Sequence, residues 1–101
     1  MGMNDAEHKH LERIKRMGCV VCRNLGYITL REAVECEAHH LTNGGRRINH
    51  YHTIPLCHVH HRGGQNDAGS VSRHPWKREF ENRYGTELEL LEQTNKELEG
   101  L

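Results

Sequence analysis

The chain has few aromatic side chains, no long apolar run and no net charge, and each shortage narrows what it can be. Five of its 101 residues are aromatic by count of Trp, Tyr and Phe, and 35% are hydrophobic, so the core that such a short chain buries is modest. A core of that size needs a staple. No apolar stretch approaches the roughly 20 residues that a membrane-spanning helix requires, and no signal-peptide apolar region opens the chain. The expectation is one soluble domain of a reducing cytoplasm, without internal repeats or low-complexity segments. Fourteen basic and fourteen acidic side chains cancel. The balance is uneven, because Glu87 onward holds five acids and Lys96 alone, leaving thirteen bases against nine acids before it. That excess permits contact with a phosphate backbone without the long basic patch that gives strong nonspecific affinity.

Histidine and cysteine are what the chain has instead. Cys19-Val20-Val21-Cys22 is matched by Cys57-His58-Val59-His60. Two such pairs supply four soft-to-borderline ligands, which suits one tetrahedral structural Zn2+ on Cys19, Cys22, Cys57 and His60. His58 and Cys36 lie close enough in sequence to compete for the fourth place. Disulfides among the four cysteines are the other staple, and a redox pair the other use of Cys-x-x-Cys. The spacing, and the lack of a surrounding βαβ pattern, favour metal. Most of the ten histidines fall between positions 39 and 61. His39, His40 and His61 are left over for chemistry once the four zinc ligands are taken. Neighbours in a strand point to opposite faces, so His39 and His40 can do different work where the strand ends or bends. Asn43-Gly44-Gly45 is placed to provide that bend. Cys36 reads as a buried strand residue.

The spacing predicts a helix from about Asp5 to Met17, capped by Asn4 or Asp5 and closed by Gly18. A zinc knuckle follows at 19–22. Strands are expected over Val34–Leu41 and through Tyr51, Thr53 and Ile54, with Pro55 at the end of the second. A helix from Leu56 or Cys57, stopped by Gly63-Gly64, completes a ββα core over about 34–64. Gly64–Ser72 reads as a loop. Pro75 is expected to open a helix to Tyr84 that packs Trp76 and Phe80 in the core. Thr86 with Glu89 predicts a capping box for a last helix, 87–98, that packs Leu88, Leu91 and Leu98 on the domain.

The order Cys-x-x-Cys, Glu37-Ala38-His39-His40-Leu41, Gly44-Gly45, Ile54-Pro55-Leu56-Cys57-x-x-His60-His61, then His74 and Phe80-Glu81-x-x-Tyr84-Gly85 resembles the phage HNH nucleases of the recombination enhancement function type. Those are RecA-dependent DNA endonucleases, and the likeness runs from the first helix to about Leu91. The resemblance implies an α+β fold: a small zinc-stapled HNH domain, ββα-metal and treble-clef-like, with flanking helices. It implies that His39 and His61 hold a catalytic Mg2+ or Mn2+, a site that Zn2+ can also occupy, with His74 as a further ligand. It makes His40 the general base. His52, five residues before Cys57, stands where many HNH proteins carry the Asn that orients the base. Arg46, Arg47 and Arg62 are candidate phosphate clamps.

The expected function is thus metal-dependent cleavage of DNA in recombination, by a phage or prophage protein in a bacterial host. The partners are DNA and a RecA-type filament, and the state is a monomer or weak dimer. A zinc-stabilised DNA- or protein-binding module without cleavage is the alternative from another class. The His39-His40-His61 set argues against it, since a binding knuckle needs no second set of ligands. A structure-specific resolvase, cutting branched DNA as a dimer, is a third reading.

Overall fold

The computed structural model describes residues 2–30, 32 and 34–101. Helix α1 (Asp5–Arg16) is opened by a capping box, Asn4 with Glu7, and closes at Met17 with Gly18 at a positive φ of 79°. Its Leu11 and Ile14 are buried. Helix α2 (Val20–Asn24) follows, a single turn where the sequence suggested only a knuckle and a turn.

Strand β1 is Glu37–His40, shorter than the predicted Val34–Leu41, and Val34 is 65% exposed. The chain then makes a small hairpin, β2 (Thr42–Asn43) and β3 (Arg46–Arg47), around Gly44 and Gly45. Both glycines have positive φ, 61° and 83°, the tight-hairpin geometry that side chains resist. Strand β4 (Thr53–Leu56) runs antiparallel to β1, pairing Glu37 with Leu56 and His39 with Ile54. Pro55 lies inside this strand opposite Ala38 rather than at its end. A two-stranded ladder leaves an outer edge where no N–H is needed, so proline is accepted there.

Helix α3 (His58–Arg62) starts one or two residues later than the expected Cys57 or Leu56, with Cys57 as its N-cap. It ends at Gly63, where a Cβ would fall 2.9 Å from the Cα of Val59, and Gly64 turns the chain away at a positive φ of 74°. A helix of one turn leaves its last carbonyls without partners, and the returning chain supplies them. Ser72 Oγ donates to the Val59 carbonyl at 2.7 Å, Arg73 N to His60 at 2.8 Å and His74 N to His61 at 2.9 Å. The 64–72 segment is therefore a fastened loop. Asp67 Oδ1 accepts from Gly69 N and Ser70 N, and Val71 and Ser72 are fully buried.

Helix α4 (Lys77–Tyr84) begins two residues beyond Pro75, since Trp76 holds a non-helical cap conformation. Helix α5 (Glu87–Glu99) carries the expected capping box of Thr86 and Glu89. Its buried face is Glu87, Leu90, Leu91, Thr94 and Leu98, while Leu88 is 68% exposed. The predicted core position of Leu88 thus passes to its neighbour Glu87, whose carboxylate has partners inside. The main core joins Val20, Val21, Ile54, Leu56, Val71, Phe80, Leu90 and Leu91, with Trp76 and Tyr84 against it. Ile14, Met17 and Leu98 form a second, smaller cluster. No helix among the described residues is long and apolar enough to cross a membrane.

Candidate functional site

Two groups of side chains that could each hold a metal ion draw on α3. The first is Cys19, Cys22, Cys57 and His60, whose ligand atoms all fall within 4.8 Å of one another. Cys19 is the N-cap of α2 and Cys57 the N-cap of α3. Each pair thus joins an N-cap residue to the third helical residue, positions that face each other across a first turn. That is the physical reason for the two-residue spacing in both motifs. Among these atoms, His60 Nδ1 is 3.3, 3.5 and 3.6 Å from the sulfurs of Cys57, Cys22 and Cys19, and the Cys22 and Cys57 sulfurs are 3.9 Å apart. A tetrahedral Zn2+ at ordinary bond lengths has edges of about 3.6 Å between nitrogen and sulfur and about 3.8 Å between sulfurs. The donor set fits such an ion. His60 takes the fourth place; His58 is exposed and Cys36 donates its thiol toward the carbonyls of Lys15 and Ile14.

The thiols respond to this crowding in opposite directions. Hydrogen bonds from Cys19 and His60 draw Cys57 well below the ordinary thiol range. The Cys57 interaction and burial push Cys19 up, and burial raises Cys22. Crowded sulfurs left to themselves resist ionising together, and a divalent cation removes that resistance.

The second group is His39, His61 and His74, again within 4.8 Å of one another. β1 delivers His39, the end of α3 delivers His61, and the backbone bond from His74 N to the His61 carbonyl holds the third ring beside them. Ring centroids stand 5.0, 5.2 and 5.3 Å apart in the three pairings. His39 Nε2 lies 2.7 Å from Glu87 Oε2, and His61 Nδ1 lies 2.7 Å from Glu37 Oε1. Each ring donates to its carboxylate. The other nitrogens, His39 Nδ1 and His61 Nε2, then face each other as bare acceptors at 3.2 Å. Two lone pairs held that close are repulsive unless something positive lies between them, so the set fits a cation. Burial lowers the pKa of all three rings, which favours the neutral form that binds metal.

A cleft of about 280 Å³, lined by Ala38, His39, His40, Thr42, Gly45, Arg47, His61 and His74, lies over this triad. A second, larger hollow of about 580 Å³ shares Ala38, Arg47, His61 and His74 and extends to Lys15 and Arg62. His40 lines the first. Burial, then the Arg47 charge and the nearby histidines, bring its pKa down to about 4, so it is neutral near pH 7. Its Nε2 lies 3.0 Å from Nδ1 of His50. The ring of His52, the residue expected to orient the base, pairs with Asn49 Oδ1 at 2.8 Å. The β3–β4 connection turns at Asn49, which accepts from Tyr51 N and His52 N, while the His52 carbonyl accepts from Leu41 N at 2.8 Å.

Arg46 and Arg47 are exposed on β3 and Arg47 borders both hollows. Arg62, also named from sequence as a phosphate clamp, instead grips Glu37 with Nε at 3.0 Å and Nη2 at 2.8 Å. Sequence reasoning missed Glu37, His50, Arg73 and Glu87. Glu37 carried a usable signal, since it stands two residues before His39 and so on the same strand face. Glu87 carried none, being 48 residues from His39 and looking like an ordinary first-turn acid.

The arrangement defines a mixed α/β protein with a Cys3His cluster able to bind a metal such as Zn2+. Residues 4–99 match the family model for recombination enhancement, RecA-dependent nuclease. The chain belongs to that nuclease family. No match is found among curated proteins.

Proposed function

We propose that the chain is a metal-dependent HNH endonuclease that cleaves DNA phosphodiester bonds, a single ββα-metal domain of treble-clef type serving phage or prophage recombination. In this reading β1, β4 and α3 are the two strands and helix of the catalytic unit. Cys19, Cys22, Cys57 and His60 hold a structural Zn2+, and His39, His61 and His74 hold the catalytic Mg2+ or Mn2+. When bound, that cation supplies charge stabilisation at the scissile phosphate and the departing 3′ oxygen. His40 accepts the proton of the attacking water, leaving a 5′-phosphate and a 3′-hydroxyl. Its neutrality near pH 7 leaves a nitrogen free to do so, and His50, rather than His52, holds the ring. Arg46 and Arg47 meet the flanking phosphates. Three thiol ligands need a reducing setting, which a bacterial host cytoplasm provides.

The observation that carries this reading is the neutral His40 lining the same cleft as the three clustered histidines. The test is nicking of single-stranded and supercoiled DNA with Mg2+ or Mn2+, with and without a RecA-type filament, for the wild type and His40→Ala. Loss of a general base lowers turnover by about 10²- to 10⁴-fold, and His40→Ala should lose that much while keeping its fold and metal content. Wild-type protein that binds DNA and cuts under no condition would favour a binding module instead. Cutting restricted to filament-coated DNA would extend the reading to RecA dependence.

A further inference from the structure

The two ligand histidines with carboxylate partners are braced in the same way, by elements far apart in the chain. Arg62 holds Glu37 through both carboxylate oxygens, and Glu37 Oε1 accepts from His61 Nδ1 at 2.7 Å. Arg73 Nε donates to Glu87 Oε1 at 2.8 Å, and Glu87 Oε2 accepts from His39 Nε2 at 2.7 Å. Glu87 is 5% exposed, and Lys77 stands a further 3.8 Å from its Oε1. A carboxylate without cations would be a costly group to bury. Glu87 is placed at the start of α5, where an exposed acid would already satisfy the helix, yet its side chain turns inward and Leu88 is left outside. The core therefore gives up a leucine to seat an acid beside His39.

We infer that Arg73–Glu87 and Arg62–Glu37 are paired positioning devices that fix His39 with its Nδ1 bare and His61 with its Nε2 bare, and so prepare the cluster for a divalent cation. The inference rests on the reading of His39, His61 and His74 as a cation site. An imidazole in solution exchanges its proton between two nitrogens and rotates about its side-chain bonds. A carboxylate fixed on one nitrogen ends both freedoms and makes the opposite nitrogen a better donor to metal. Each arginine orients its carboxylate and balances its charge, and the three rings line the smaller cleft, among whose lining residues there is no acid. A set of three imidazole nitrogens suits Ni2+ or Zn2+ better than Mg2+, so Ni2+ is a suitable probe of it.

The test uses the 101-residue chain with its cysteine site loaded with one equivalent of Zn2+, titrated with Ni2+ by calorimetry. The site of interest is identified as the one lost in His61→Ala. Ring tautomers are read in parallel by long-range nitrogen–proton NMR on the protein before Ni2+ is added. Glu87→Ala should weaken Ni2+ binding by about ten- to hundredfold and release His39 into a mixture of tautomers. Glu87→Gln, which keeps an acceptor oxygen, should recover much of the tautomer order and part of the affinity. Glu37→Ala should do the same to His61 and leave His39 alone. Unchanged Ni2+ affinity with an unchanged His39 tautomer in a folded Glu87→Ala protein, or with an unchanged His61 tautomer in a folded Glu37→Ala protein, would overturn the inference. Neither readout involves DNA, so a protein that binds Ni2+ as expected but never cuts would sink the nuclease reading and spare this one.

Discussion

The two clusters of candidate ligands differ in how they are built, and in the proposed reading the difference separates holding a fold from acting on a substrate. The Cys3His cluster is closed. Its four donors come from two matching half-sites on one-turn helices, with Cys19 and His60 nearly inaccessible. The histidine cluster is open. Its three donors come from a strand end, a helix end and a returning segment, and the rings line a cleft that reaches His40. Structural zinc sites fill all four positions with protein, whereas catalytic sites leave room for water or substrate. α3 serves both, sending His60 to one side and the adjacent His61 to the other.

Emptying the closed cluster should have the largest effect. Structural Zn2+ contributes about 10–16 kcal/mol of apparent folding free energy in small modules, against a net stability of only about 5–15 kcal/mol for an ordinary domain. Cys22→Ala should therefore unfold the chain, with loss of helical circular dichroism and of bound zinc, and a strong chelator should do the same to the wild type. His61→Ala, which removes a donor of the open cluster, should leave both signals in place. A folded, metal-replete Cys22→Ala protein would erase the distinction between the two sites.

The same contrast explains what the sequence made legible. The spacing of Cys19 with Cys22 and of Cys57 with His60 is set within single helical turns, so it survives in the chain as a local pattern. The caps at Asn4 and Thr86 are equally local and appear as read. The support of the open cluster is tertiary. His50 reaches His40 across the β3–β4 connection and Glu87 reaches His39 from α5, and neither distance leaves a periodic trace. Leu88 and Glu87 show the cost of reading periodicity alone, because an apolar rule assigns the inner face to the leucine. Arg62 shows the same limit for charge, since proximity in sequence to His61 could not reveal its grip on Glu37.

Within the open cluster, cation-holding and base-holding residues should separate. His50→Ala removes the 3.0 Å contact that steadies His40 while touching none of the three ligand rings. Misplacing a catalytic group is costly, and a loss of about ten- to hundredfold in turnover is expected, smaller than that of His40→Ala. KM and cation affinity should stay at wild-type values, and His50→Gln, which retains a hydrogen-bonding group, should restore part of the rate. His52→Ala should change little, because that ring is spent on Asn49. If His52→Ala cost more turnover than His50→Ala, His52 and not His50 would be the residue that orients the base.

The smallest expected effect lies at the rim, where Arg47 borders both hollows over the open cluster. A guanidinium on a two-residue strand beside Gly45 is well placed to meet a phosphate, and its neighbour Arg46 is similarly exposed. Arg47→Ala should weaken DNA binding by about three- to tenfold and reduce the slope of log affinity against log salt by about one unit, whatever the DNA sequence. Arg62→Ala offers the contrast, since Arg62 already holds Glu37 through both oxygens. Its loss should leave the salt slope nearly intact and weaken the cation site through His61. Fluorescence anisotropy on labelled DNA across a salt series, run beside Ni2+ titrations, separates the two arginines. A larger salt-slope change for Arg62→Ala than for Arg47→Ala would show that phosphate displaces Glu37 from Arg62 when DNA binds, joining rim and ligand support into one device.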